Sequence, residues 1–332
     1  MLRHELANVI NGLTGMAGLL KSSGLKPEQE RWLEAIEQSA AQLHFLVRAA
    51  DETRSLVGRI SRFNGVKLLE QAITAHTAAA QAKSLRLLLS IDAELPAYWS
   101  GDSRLTRQFL DNLLGNAIKF TESGDVRLSA RGDSGKTLAL AVSDTGPGVP
   151  ASERKRIFGI FERGTSGSGK PGQGLGLPVC RRIVTALGGE IRYAPRTGQG
   201  ARFQVCLPGT LGSEPESRPL PLAFTGVSCL LDLDPALARV TGKLLDRLGI
   251  DWCKARRNSI AHSDPGLFIT ISEGCRYPGA PWPGLMLSAD SADGGISVAL
   301  SPPLLESSLE PALLKLALAW RWQRLRTSDK GD

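Results

Sequence analysis

No two cysteines of this chain are spaced C-x-x-C, and its five cysteines (Cys180, Cys206, Cys229, Cys253 and Cys275) form no metal-type cluster with its four histidines. A metal-knuckle or disulfide framework is therefore not the organising device, and the unpaired thiols point to a reducing compartment, the cytoplasm. The sequence also lacks any run of eighteen apolar residues, so it encodes no membrane span, and no secretory signal peptide is visible. Charge of one sign never gathers into a block. Forty Lys and Arg against thirty-three Asp and Glu give a net charge of +7 spread along the chain. That distribution solvates surfaces and suits an anionic ligand without requiring nucleic acid as a partner. What remains is 332 residues with an ordinary apolar content of 42%, enough for two or three folded domains.

The most informative stretch runs from Asp144 to Leu177: DTGPGVP, IFGIFERG, a polar glycine-rich loop, then GQGLGLPV. LALAVSD, which leads into it, alternates as a buried strand. A strand ending in Asp144 and followed by Gly146 and Gly148 sets a carboxylate at a sheet edge, beside backbone able to bend closely around a ligand. Such a carboxylate can accept a hydrogen bond from the exocyclic amine of adenine, which would select it over guanine. Gly172, Gly174 and Gly176 then lead into the helical run LPVCRRIVTALGG. They strip side chains from a helix N-terminus, where N–H groups and the dipole favour phosphate. Taken singly, DTGPG is also an ordinary turn and GxGxG an ordinary loop. Their order, behind an upstream helix, reverses those odds. DSRLTRQFLDNLLGNAIKFT (102–121) carries Leu105, Phe109, Leu113 and Phe120 at helical spacing and sets Asn112, Asn116 and Lys119 on one face. The Asn116 amide oxygen suits Mg²⁺, a hard cation that takes oxygen ligands alongside ATP phosphates. Lys119, one turn on, can reach those phosphates as a point charge.

This ordered set resembles the catalytic domain of sensor histidine kinases, within the wider Bergerat-fold ATPase group. The N box is NLLGNAIKF, the G1 box DTGPG, the F box IFGIF with Phe158, the G2 box GQGLGLP with Leu175 between its glycines, and the closing strand GQGARFQVCLP (198–208). The resemblance covers about residues 60 to 208. It implies an α/β sandwich that binds ATP and Mg²⁺ under a Gly/Ser-rich lid near 159–172, with Arg163 and Lys170 as phosphate contacts. Pro178 stands where the family usually has Ser or Ala, and a proline is tolerated in a first helical turn.

At the start of the chain, Leu2, Leu6, Val9, Leu13, Met16 and Leu20 form a heptad seam, and Leu33, Ile36, Ala40, Leu43, Val47 and Ala50 repeat the rhythm after a break at SSGLKP. Two such helices make a hairpin with too little apolar surface to stand alone; two hairpins close a four-helix bundle, which predicts a homodimer. His4 lies about 160° to 200° from Leu2 and Leu6, on the solvent side, with Asn8 beside it. HELAN matches the family's H box. The resemblance thus implies His4 as phosphoacceptor, Glu5 as the group that fixes its tautomer, and Asn8 as the amide that orients water for phosphatase activity. Val9 replaces the usual proline, which should straighten the helix. His44 lacks a following acid and competes only nominally.

Beyond the polar, Pro/Ser-rich segment 210–221, short apolar strands and two helices predict a small doubly wound parallel sheet. The segment resembles a response-regulator receiver without its chemistry. Asp232 is separated from Asp234 by Leu233, the end of the third strand offers Ile271, Ser272 and Glu273, and Ser301 stands at the lysine position. Such a pseudo-receiver is a docking or ligand-sensing module, or a stabilising appendage. The C-terminal helix carries Trp320 and Trp322 among arginines, as a binding patch or as one inward tryptophan with solvated arginines.

The expected organisation is therefore multidomain α+β: a phosphoacceptor hairpin (1–58), a catalytic ATP-binding domain (59–209), a linker (210–221) and a pseudo-receiver (222–328). The expected activity is ATP-dependent phosphorylation of His4 and transfer to an aspartate of a separate response regulator, with an upstream sensor protein or domain as input. The alternative is a catalytically weak kinase-like scaffold acting on another kinase.

Overall fold

A computed structural model describes residues 12, 15–17, 19–20, 28–29, 32–33, 36, 60–133, 136–159, 176–195, 199–211, 227–254, 267–275, 284–289, 296–300 and 303–328. The described positions before residue 37 are helical. Among them Ala17 and Leu33 are buried, while Met16, Leu20 and Ile36 of the expected seam are 64%, 51% and 49% exposed in the single chain.

Two five-stranded sheets follow. The first has the order β2-β4-β5-β7-β6, from Arg86–Ile91 (β2), Asp125–Asp133 (β4), Thr137–Asp144 (β5), Arg202–Leu207 (β7) and Glu190–Tyr193 (β6). Only β2 and β4 run parallel; the other pairs are antiparallel. Strand periodicity makes one face apolar: Leu87, Leu89 and Ile91, Val126 and Leu128, Leu138, Leu140 and Val142, and Phe203 and Val205. The helices Gly65–Ala82 (α1), Ser103–Phe120 (α2) and Gly176–Ala186 (α3) close that face with Leu69, Ile73, Phe109, Leu113, Ile183 and Val184. A short ribbon of Ser61–Asn64 (β1) and Tyr98–Gly101 (β3) leads into the layer, with Trp99 fully buried under it. The sandwich expected from the motifs is thus present. Its end differs from the expected boundary: Thr210 and Leu211 are buried, and Leu211 bridges to Trp99, so the domain reaches past 209 and the linker cannot start at 210.

The second sheet has the order β12-β11-β10-β8-β9, from Val227–Asp232 (β8), Asp251–Lys254 (β9), Leu267–Cys275 (β10), Gly284–Ala289 (β11) and Ile296–Leu300 (β12). Reading from β9, this is the order 2-1-3-4-5 of a flavodoxin-like sheet. The expectation of a doubly wound parallel sheet fails at the last two strands. β8, β9 and β10 run parallel, but β10 with β11 and β11 with β12 are antiparallel. Parallel neighbours need a crossover of about a dozen residues or more, and the segments 276–283 and 290–295 are too short for one. Cys229, Leu231, Ile269, Ile271 and Leu287 line one face by register, packed with Leu244 and Leu245 of Pro235–Arg247 (α4) and Leu309, Leu313 and Leu316 of Glu306–Ser328 (α5). The side chains of Trp320 and Trp322 lie outside the described residues. No helix among the described residues is long and apolar enough to cross a membrane.

Candidate active site: the end of β5, the end of α2 and the start of α3

Helix α2 begins where Asp102, nearly fully buried, accepts a hydrogen bond from the Leu105 N–H at 3.0 Å, an N-cap that satisfies an otherwise orphaned donor. Leu105, Phe109, Leu113 and Ile118 face the sheet, which leaves Asn112, Asn116 and Lys119 half-buried on the flank, as their spacing predicted. The helix is finished by a residue the sequence did not single out. The Lys83 ammonium donates to the carbonyls of Ile118 (2.8 Å), Lys119 (2.8 Å) and Thr121 (3.2 Å). A cation on the last carbonyls complements the helix dipole and fixes the turn that carries Asn116 and Lys119. The Lys119 ammonium lies 4.8 Å from the centroid of the Phe120 ring.

Asp144 ends β5 with its carboxylate buried. One carboxylate oxygen accepts from the Gly146 N–H at 2.9 Å and the Ala201 N–H at 3.1 Å. Two backbone donors on one oxygen set the plane of the group at the sheet edge. The turn is close-packed on the glycines. Gly148 has φ +74° and Gly200 φ +119°, and a Cβ added to Gly200 would stand 2.1 Å from the Asp144 carbonyl oxygen. In the sequence Gly200 is one glycine of a closing strand; its positive φ and its contact with Asp144 depend on a pairing of β5 with β7 that a linear motif does not show. Gly200→Ala should lower the unfolding free energy by on the order of 3 kcal/mol, because it adds a strained φ to a backbone clash. Urea denaturation with an unchanged midpoint would contradict that packing.

The site residues converge on the last turns of α2. A Cβ on Gly146 would lie 3.2 Å from the Thr121 hydroxyl and 3.3 Å from the Phe120 carbonyl, while a Cβ on Gly176 would lie 3.1 Å from the Asn116 amide nitrogen and 3.6 Å from its oxygen. Glycine at 176 therefore keeps the space beside the Asn116 amide clear, which suits an oxygen-ligated cation and phosphate there. Pro178 sits in the first described turn of α3, as expected. Deeper in that helix, burial pushes the Cys180 thiol up, and its sulfur lies 3.6 Å from the Phe109 carbonyl; it packs α3 on α2. Phe158 meets Phe203 edge-on at 6.2 Å, and Phe203 meets Tyr193 at 5.6 Å, so Phe158 anchors the segment that leads away from Gly148. Arg163, Gly172, Gly174 and Leu175, with the expected lid, lie outside the described residues. So do His4, Glu5 and Asn8.

Residues 101–211 match the family model of the histidine kinase-, DNA gyrase B-, and HSP90-like ATPases. The chain's relatives are sensor histidine kinases. It is 34% identical over 260 residues to the sensor histidine kinase AruS of Pseudomonas aeruginosa, covering 75% of this chain and 26% of AruS. It is 30% identical over 285 residues to the aerobic respiration control sensor protein ArcB of Escherichia coli K12, covering 81% of this chain and 36% of ArcB. The chain thus spans about a quarter to a third of the length of these relatives. Among solved structures, full-length ShkA in complex with AMPPNP superposes with a TM-score of 0.57 at 30% identity, over 78% of this chain and 55% of that one.

Proposed function

We propose that the chain is an ATP-dependent protein histidine kinase of a two-component system. The observation that carries this is the buried Asp144 carboxylate, fixed by two backbone N–H groups, in a turn that abuts the same helix end that presents Asn116 to Gly176. Adenine would give its exocyclic N–H to Asp144, and the triphosphate would run toward the start of α3, within reach of Lys119. Mg²⁺, held through the Asn116 oxygen, would neutralise charge on the phosphates.

The neutral imidazole of His4 then attacks the γ-phosphorus in line. An N–P bond forms as the bond to the β–γ bridging oxygen breaks, and ADP leaves with that oxygen. Glu5 holds the other ring N–H and stabilises the charge that develops. The phosphoryl group passes to an aspartate of a separate response regulator, and Asn8 orients the water that later hydrolyses that acyl phosphate, restoring the aspartate and releasing inorganic phosphate. The exposed Met16, Leu20 and Ile36 support a homodimer in which a second hairpin covers the seam.

An acceptor in trans follows from the C-terminal sheet, which we take as a pseudo-receiver. Register sets Ser272, not an acid, beside Asp232, and Asp234 is committed to capping α4 and to Arg86. Incubation with γ-labelled ATP and Mg²⁺ should label the chain with an acid-labile, base-stable phosphate that moves to a purified receiver domain. Tight nucleotide binding with no label would leave the scaffold reading instead.

A further inference from the structure

Described residues of the C-terminal unit pack directly against the ATPase sheet. Helix α4 packs along β2, the edge strand. Its thirteen residues and the six of β2 each span about 20 Å, and both ends are fastened. At the start, Asp234 caps α4 through the N–H groups of Ala236 and Leu237 while its other oxygen takes the Arg86 guanidinium at 2.6 Å. At the far end, Lys243 pairs with Asp92, and Arg247 donates to the carbonyls of Asp92 (2.9 Å) and Leu95 (2.8 Å) while paired with Glu306. The buried carboxylate of Glu70 on α1 accepts from the Ser307 N–H in the first turn of α5. Leu88, on the face of β2 opposite Leu87 and Leu89, is buried although it belongs to neither apolar core.

From this contact a continuous hydrogen-bonded chain leads to the nucleotide site. Arg86 grips both carboxylate oxygens of Asp125, at 2.6 and 3.0 Å, a bidentate geometry that fixes orientation as well as charge. The Asp125 N–H donates to the Thr145 hydroxyl at 3.0 Å, and the Thr145 N–H donates back to the Asp125 carbonyl at 3.1 Å. Thr145 stands between Asp144 and Gly146, the two residues whose turn orients the adenine-reading carboxylate. We propose that docking of the C-terminal unit on β2 and nucleotide binding at Asp144 are coupled through Arg86, Asp125 and Thr145, so that the docked unit preorganises the turn that receives adenine. The coupling rests on the nucleotide site proposed above.

Two variants test it on the full chain. Asp234→Asn keeps the α4 cap, since Asn caps as well as Asp, but removes the anion from Arg86. Asp92→Lys opposes Lys243 without touching the nucleotide site. Each should weaken AMPPNP·Mg²⁺ binding about 5- to 20-fold by calorimetry, in the usual range of coupling between sites. Asp92→Lys combined with Lys243→Asp should restore the affinity. By reciprocity, AMPPNP·Mg²⁺ should slow hydrogen exchange in 235–247 and 92–95 of the wild-type chain. If exchange in those segments rises in the variants while nucleotide affinity stays unchanged, the coupling is refuted and the site stands. A wild-type chain that binds no adenine nucleotide overturns both, and the docking contact is then still read independently from exchange in the absence of nucleotide.

Discussion

Asp144→Asn is expected to weaken ATP binding about 10- to 100-fold while leaving the domain folded, the cost of setting a buried donor against a donor. The carboxylate oxygen that accepts from the Gly146 and Ala201 N–H groups has a direct substitute in the Asn amide oxygen, so the turn keeps its bonds. The other end of the side chain changes from acceptor to NH₂ donor. Adenine's exocyclic amine would then meet a donor, whereas guanine or hypoxanthine, with an acceptor at the same position, would meet a complementary group. The variant should therefore lose affinity for AMPPNP and narrow or invert its preference against the guanine analogue, with circular dichroism unchanged. Asp144→Ala is the blunter change: it orphans two buried N–H groups and should also destabilise the fold. An Asn variant that kept the wild-type ratio of the two nucleotides would remove Asp144 from base recognition.

His4→Gln should abolish the acid-labile label entirely while leaving AMPPNP affinity unchanged. Glutamine preserves helix propensity and polarity but has no nucleophilic nitrogen, so the loss falls on the transfer step alone. Glu5→Ala should slow labelling without altering nucleotide affinity, because it removes the group that fixes the imidazole tautomer and supports its developing charge. A full-strength label in the His4 variant would move the acceptor elsewhere, with His44 the first residue to replace next. The two predictions separate the halves of the mechanism: Asp144→Asn acts on capture of the nucleotide, His4→Gln on what receives its phosphoryl group.

Much of the ATPase domain was legible because its information is local. The apolar spacing of 102–121 gave a helix that the structure places at Ser103–Phe120, with Leu105, Phe109 and Leu113 buried and Asn112 and Asn116 on the flank. LALAVSD gave the strand ending at Asp144, and the run after Gly176 gave α3. Two features are not legible in the sequence because each depends on partners distant in it. Lys83 reaches carbonyls 35 to 38 residues away, and no motif marks a C-terminal cap supplied by another helix. Gly200 matters only because β7 brings it against Asp144. The antiparallel direction of β11 and β12 follows instead from loop length, since segments as short as 276–283 and 290–295 call for hairpins rather than crossovers. Asp234 shows the same limit from the other side. Read as the remnant of an acidic pair, it proves to be a helix cap and an ion-pair partner of Arg86.

We propose above all that Asp144, the end of α2 and the start of α3 together hold an adenine nucleotide. This is tested most directly by titrating the wild-type chain with AMPPNP·Mg²⁺ and with its guanine counterpart, and mapping hydrogen exchange in each complex. The expected result is one site per chain, adenine favoured by at least about 100-fold as for a site built around a polar contact to the base, with protection at 144–146 and around Gly176. Equal affinity for the two nucleotides, or adenine binding that protects neither segment, would contradict it.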